Sequence, residues 1–263
     1  MRAFRKATLA SVVLFAGAST AFAADAPTPP APYSWTGLVV GAQSGYGWGV
    51  EEDDLSDSLG APVDHFRAEG PIGGSHLGYD FQFGALVFGF GGEIDATSIQ
   101  GSTTNSVKVN NNGAPNCADG CTLTEGSLNL QNSWQAFLLG RAGIAFDRTL
   151  IFVSGGLVLG NDDESASVTR SFQYPPGSFK GPILLGVWNG SRNQTLVGEA
   201  IGLGVDYALD DHWRFGSEWR FVDFAKGSDP ANLVYSGHGD VHSAIYKAGL
   251  SENLAVVDLS YRF

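Results

Sequence analysis

From Thr36 onward the chain alternates large apolar residues with small or charged ones, in stretches of about a dozen residues. A period of two sends successive side chains to opposite faces of a β-strand. Eight stretches carry it. In 36–48, Leu38, Val40, Ala42, Tyr46 and Trp48 oppose Gly37, Val39, Gly41, Gln43 and Gly45. In 72–83, Leu77, Tyr79, Phe81 and Phe83 oppose His76, Gly78, Asp80 and Gln82, and in 85–96, Leu86, Phe88, Phe90 and Ile94 oppose Gly89, Gly91, Glu93 and Asp95. The stretch 132–146 sets Leu138, Ala142, Ile144 and Phe146 against Leu139, Arg141 and Gly143. In 149–160 both faces carry apolar residues, so the pattern is weaker. Ile201 to Leu209 within 195–209, Phe215, Trp219 and Phe221 within 213–224, and Val257 to Phe263 at the end complete the set, the last with an earlier start near Val241 as an option.

Alternation alone does not say which face is wet. A soluble barrel with an apolar core fits it residue by residue. Two observations favour the inverse arrangement. Glu93, Asp95, Arg141, Glu218 and Arg220 fall at mid-strand on the glycine-rich face, and the chain has 36 glycines. A water-facing surface has no need of so much glycine, whereas a narrow lumen does. The connections also sort by length. They are short near Gly84, Asp147-Arg148 and Asp210-Asp211-His212, and long at 50–71, 97–131, 161–194 and 225–251. Tight turns on one side and long loops on the other characterise outer-membrane barrels. The expected fold is therefore all-β: an eight-stranded antiparallel up-and-down transmembrane β-barrel with short periplasmic turns and four long extracellular loops. The length left after the loops is too small for a porin of about sixteen strands.

Residues 1–23 read as a signal peptide. Arg2, Arg5 and Lys6 precede an uncharged apolar run, and Ala21-Phe22-Ala23 supplies the small residues a signal peptidase needs. Residues 24–34, with Pro27, Pro29, Pro30 and Pro32, read as an extended periplasmic tether, and 35–263 as the barrel. A formal charge of −12 argues against a nucleic-acid partner, since phosphate contacts need Lys and Arg. Export makes a disulfide the expected state of Cys117 and Cys121.

Several segments resemble a known family. Trp35-Thr36-Gly37-Leu38-Val39-Val40-Gly41 with Tyr46-Gly47-Trp48-Gly49 is similar to the opening strand of the small alphaproteobacterial outer-membrane barrels, known as porin-family proteins or outer-membrane surface antigens. Ala145-Phe146-Asp147-Arg148-Thr149-Leu150-Ile151 resembles their central hairpin, and Gly204 to Leu209 with Trp213, Glu218 and Arg220 their sixth and seventh strands. The resemblance covers 35–263 and implies a bacterial outer-membrane location and a barrel like the transmembrane domain of OmpA. Leu259, Tyr261 and the terminal Phe263 resemble the signal read by the barrel-assembly machinery.

A narrow lumen must pair its charges, because an unpaired buried charge is costly. Glu93, Asp95, Arg141, Glu218 and Arg220 are thus expected to form a lumenal network. Glu51, Glu52, Asp53 and Asp54 are candidates for a divalent cation. His238, Asp240 and His242 share a face if extended and are candidates for haemin or another ligand, as described for some relatives of the family. No serine-hydrolase, zinc-protease or nucleotide-binding motif is present, so no catalytic residue, resident cofactor or metal is assigned. The expected role is structural: envelope integrity and surface presentation as a monomeric antigen, in contact with outer-membrane lipid and lipopolysaccharide. A narrow diffusion channel and capture of a host or surface ligand by the loops are the alternatives.

Overall fold

The computed structural model describes residues 33–51, 66–110, 117, 119–225, 231–235, 241–244 and 250–263. The signal peptide, most of the tether, Glu52 to Asp54, His238 and Asp240 lie outside them. Among the described residues there is no α-helix. The strands are β1 (Gly37–Glu51), β2 (Phe66–Phe83), β3 (Leu86–Asn110), β4 (Cys121–Phe146), β5 (Thr149–Gln173), β6 (Ile183–Ala208), β7 (Trp213–Phe224), β8 (Ala231–Tyr235), β9 (Val241–Ala244) and β10 (Leu250–Arg262). Each barrel strand pairs antiparallel with its neighbour in sequence, and β10 returns to β1 with Val39 opposite Arg262. Eight strands, β1 to β7 and β10, close the ring, sealed at its seam by the Phe263 amide donating to the Leu38 carbonyl at 2.9 Å.

The ring has its apolar face outward. Leu77, Phe90, Ile94, Leu138, Val153, Ile201, Leu203 and Trp219 are all solvent-exposed in the isolated chain, while Asp80, Asp95, Arg214 and Arg220 are buried inside. Hydrocarbon outside stabilises this arrangement, since exposed apolar residues recur at alternate positions along part of every barrel strand. The weak alternation in β5 has a simple cause. Leu150, Phe152 and Val158 point inward and are buried in the lumen, so both faces of that strand are apolar for different reasons.

The turns on the short side are tight. Gly84 and Asp147 each open a two-residue turn with positive φ, 62° and 53°. That region strains most side chains but is open to glycine and tolerated by aspartate. Asp210 accepts from the amides of His212 and Trp213, both at 2.7 Å, and these bonds hold its carboxyl below the usual carboxylate range. On this side Trp213 and Phe263 flank Tyr261 with ring centroids 5.3 and 4.9 Å away, an aromatic girdle of the kind found at a membrane interface.

On the other side the structure departs from expectation. Residues 97–110, 121–131, 161–173 and 183–194 are not loop: they continue β3 to β6, which reach 25 or 26 residues. Outside hydrocarbon a strand needs no apolar face, so the alternation fades while the ladder runs on. Ala96 to Ile99 and Gln131 to Gln135 carry register shifts near where the oily rows end. The Asn161 carboxamide oxygen accepts from the Ser133 and Trp134 amides there, both at 2.9 Å, so the bulge leaves neither donor idle. The early start of the last strand at Val241 is also corrected. Val241–Ala244 is β9, paired to β8, which in turn adds to β6 beyond the barrel rim, and the barrel strand begins at Leu250.

Leu203 sits midway along the oily outer-face row that runs from Val197 to Leu209, opposite Val153 and Trp219. Leu203→Arg is expected to destabilise the barrel in phospholipid vesicles by about 2–4 kcal/mol, read from urea titration, because arginine at the midplane is costly. The same substitution at Ile183, beyond the membrane, is expected to change stability by less than about 1 kcal/mol. Equal effects at the two sites would contradict the assignment of faces and depth.

Candidate functional site

The lumen is built in layers. At the short-turn end Tyr33, Trp35, Val87, Leu150, Phe152 and Ala208 form an apolar plug. Tyr33 was expected in the extended tether; instead it is buried, its hydroxyl accepting from Arg214 Nε at 2.9 Å. The Trp35 carbonyl accepts from Arg214 Nη2 at 2.8 Å, and the guanidinium lies 4.7 Å from the indole centroid. The cation thus draws the entering chain into the barrel mouth.

Above the plug lies the charged layer, arranged in two arginine centres. Arg141 bridges Asp80 at 2.5 Å and Asp206 at 2.9 Å, and Arg214 shares Asp80 at 2.7 Å. Arg220 bridges Glu93 and Glu218, both at 2.8 Å, over the face of Phe137 at 4.6 Å. Of the five charges named from sequence, Glu93, Glu218 and Arg220 meet. Arg141 pairs instead with two aspartates not singled out. Asp95 accepts from Gln43 Nε2, which also donates to Glu93. Carboxylates outnumber arginines, and neutral donors add to their bonding: Gln43 donates to Asp95, and Ser154 to Glu218 beside its Arg220 pair. Asp80, Asp206, Arg214 and Gln43 all lie on the inward face by period two. Position marked them as lumenal, but only the register across strands decides who meets whom.

Glycine makes the layer possible. A Cβ at Gly216 would run into the Asp258 carboxylate, and one at Gly202 into the Glu218 carboxylate and the Ser154 hydroxyl. Between the two arginine centres remains a cavity of about 90 Å³ lined by His76, Asp206, Glu218 and Asp258 among others. His76 Nε2 stands 3.9 Å from Asp258.

A second apolar layer lies in the lumen toward the long-connection side. Ile72, Ile99, Phe137, Val158, Val222, Phe224, Leu254 and Val256 pack together there, with Glu252 and Gln135 bonded at 2.5 Å within the barrel. Beyond it a polar rim begins. Thr97 donates to Asn132, Asn132 to the Asn161 carbonyl, and Arg192 meets Glu164 at 2.8 Å.

Cys117 and Cys121 form a disulfide with Cα atoms 5.2 Å apart, at the base of β4 where the β3–β4 hairpin ends. Leu259, Tyr261 and Phe263 lie on the outer face at the girdle end of β10. Glu51 ends β1 and His242 lies in β9, but their partners in the cation and haemin candidates fall outside the described residues. Among the described residues no group of three or more His, Cys, Asp or Glu is arranged to hold a metal ion.

No protein-family model matches the chain. It is similar to the 31 kDa outer-membrane immunogenic protein of Brucella melitensis, 25% identical over 94% of this chain and 95% of that one. It is also similar to the 25 kDa outer-membrane immunogenic protein of Brucella abortus, 33% identical over 35% of this chain and 45% of the relative. Among solved structures, the outer membrane protein OprG from Pseudomonas aeruginosa matches with a TM-score of 0.41, 14% identity, 87% of this chain and 96% of that one. With full-length likeness to an outer-membrane protein and a lipid-facing belt around a closed ring, the chain is an eight-stranded barrel of the bacterial outer membrane.

Arg141→Ala is expected to cost about 3–5 kcal/mol, because it strips Asp206 of its ion-pair partner in the lumen. Arg148→Ala, which removes an exposed pair to Asp211 at 3.4 Å, is expected to cost at most about 1 kcal/mol. Urea titration in vesicles compares them, and equal losses would mean the lumenal pair is hydrated. Thiol alkylation of unreduced, denatured protein is expected to leave Cys117 and Cys121 unlabelled.

Proposed function

We propose that this protein is a sealed structural barrel that braces the outer membrane and presents its extracellular strands as a surface antigen. The observation that carries the reading is the pair of apolar plugs, Tyr33 with Trp35 below and Phe137 with Phe224 and Leu254 above, enclosing an arginine–carboxylate layer. A hydrated path needs a continuous polar lining, and both plugs interrupt it. Ion pairs that each engage two carboxylates also resist the shifts that would open one, since breaking a single contact strands a buried charge.

The presentation half of the reading is supported by the walls beyond the rim. The β3–β4 and β5–β6 hairpins stand well past the oily rows, and the Brucella relatives are named for their immunogenicity. A rigid, hydrogen-bonded wall offers a fixed epitope where a loose loop would not.

Purified protein reconstituted in planar bilayers tests the sealed state. No current steps above the protein-free background are expected. Discrete steps from folded protein would favour the narrow-channel alternative. Replacing the upper plug by small polar residues, Phe137→Ser with Phe224→Ser, is expected to create steps where the parent has none.

A further inference from the structure

The tip of the β5–β6 hairpin carries apolar residues and a cation without an acid. Residues 174–184 contain Lys180 and no Asp or Glu, in a protein whose formal charge is −12, while Arg192 lower in the wall is held by Glu164. The apolar residues face outward. Phe179 is fully exposed at 107% of its reference area, and Ile183 and Leu184 are exposed at 48% and 61%. A register shift between Arg170 and Ser171 breaks the alternation there, so Ile183 and Leu184 are exposed side by side.

The tip is shaped rather than frayed. The Ser178 amide donates to the Pro175 carbonyl at 3.1 Å, and the Lys180 amide to the Ser178 hydroxyl at 3.2 Å. Lys180 Nζ lies 5.2 Å from the Tyr174 ring centroid, and Phe172 meets Tyr174 edge-on at 5.2 Å. Pro175, Pro176 and Pro182 limit the backbone, and Gly177 supplies a φ of 88°. These bonds present an aromatic ring, an ammonium and two aliphatic side chains at one end of a stiff ribbon.

The protein's own bilayer is not within reach along the ribbon. Leu159 is the last oily outer-face residue of β5. The polar stretch from Asn161 to Gln173 adds roughly 40 Å of strand at ~3.3 Å per residue.

We propose that the β5–β6 tip, Tyr174 to Leu184, docks on the anionic surface of a second lipid bilayer. Phe179, Ile183 and Leu184 enter the headgroup layer and Lys180 meets the acidic headgroups. Aromatic and aliphatic residues beside a cation are the composition of interfacial anchors. A soluble polyanion would engage Lys180 and leave Phe179, Ile183 and Leu184 in water. A second copy would bring its own Lys180 against this one and offer it no acid. The inference rests on the surface-presenting reading for the side on which the hairpin stands, and is independent of whether the barrel conducts.

The full chain in phosphatidylcholine nanodiscs, checked for folding by its gel mobility before and after boiling, is mixed with larger vesicles and floated. Vesicles of phosphatidylcholine with phosphatidylserine are expected to carry the protein up, and phosphatidylcholine alone much less. Phe179→Ser with Leu184→Ser is expected to lower the floated fraction about tenfold, and Lys180→Gln about threefold, with weaker salt dependence. Val109→Ser, an exposed apolar residue on the neighbouring hairpin, is expected to change nothing. A Ser178→Cys variant carrying an environment-sensitive dye is expected to shift to the blue on the acidic vesicles. Full flotation of the Phe179 and Leu184 double variant would overturn the proposal. So would binding lost on Lys180→Gln alone and competed by heparin, or nanodiscs clustering without vesicles. Because the assay has no current readout, its failure leaves the sealed-barrel reading standing, and planar-bilayer steps leave the docking result standing.

Discussion

Hydrocarbon offers no partner to a peptide group, and that constraint organises the whole molecule. Every amide and carbonyl within the membrane must find another strand, so the sheet can have no edge there and has to close. The seam between β1 and β10 is where this requirement meets the chain's two ends. Once the ring is closed, the two faces of each strand acquire opposite duties. The outer one must be mainly oily, and the arginines with their carboxylates are held in a tube just wide enough for side chains.

Confinement explains the chemistry of the interior. Charges in so narrow a space cannot be diluted by water, so each arginine is held by more than one group: Arg141 by Asp80 and Asp206, Arg214 by Asp80, Tyr33 and the Trp35 carbonyl, Arg220 by Glu93 and Glu218. The planar guanidinium suits this, because it donates in several directions at once and its faces can lie on Trp35 or Phe137. Lysine, with one compact charge, would not serve as well. The glycines opposite are the steric counterpart, leaving room for carboxylates where any side chain would collide.

Beyond the membrane the constraint lapses but the ladder does not. β3 to β6 continue as hydrogen-bonded walls whose outer faces become polar, with bulges near the transition. There the sheet is free to be open, and β8 and β9 extend it past β6. At the β5–β6 tip Phe179, Ile183 and Leu184 again gather on the outside, and there they are joined by Lys180 in a segment with no Asp or Glu.

How much of this was legible in the sequence follows from the range of each interaction. Alternation from Leu38 to Phe263 decides which side chains point out, because the period of a strand is a local property, and Gly84 and Asp147-Arg148 mark turns through their own backbone preferences. Those features determined the number of barrel strands, the closure and the oily exterior. Three things needed the tertiary structure. The partners of Arg141 depend on the register of strands far apart in the chain, which no local pattern encodes. The length of β3 to β6 was hidden because polar strands in water lose the two-faced signature that lipid imposes. Tyr33 reads as part of a proline-rich tail until Arg214 and Trp35, held together by the closed ring, supply the pocket that orders it.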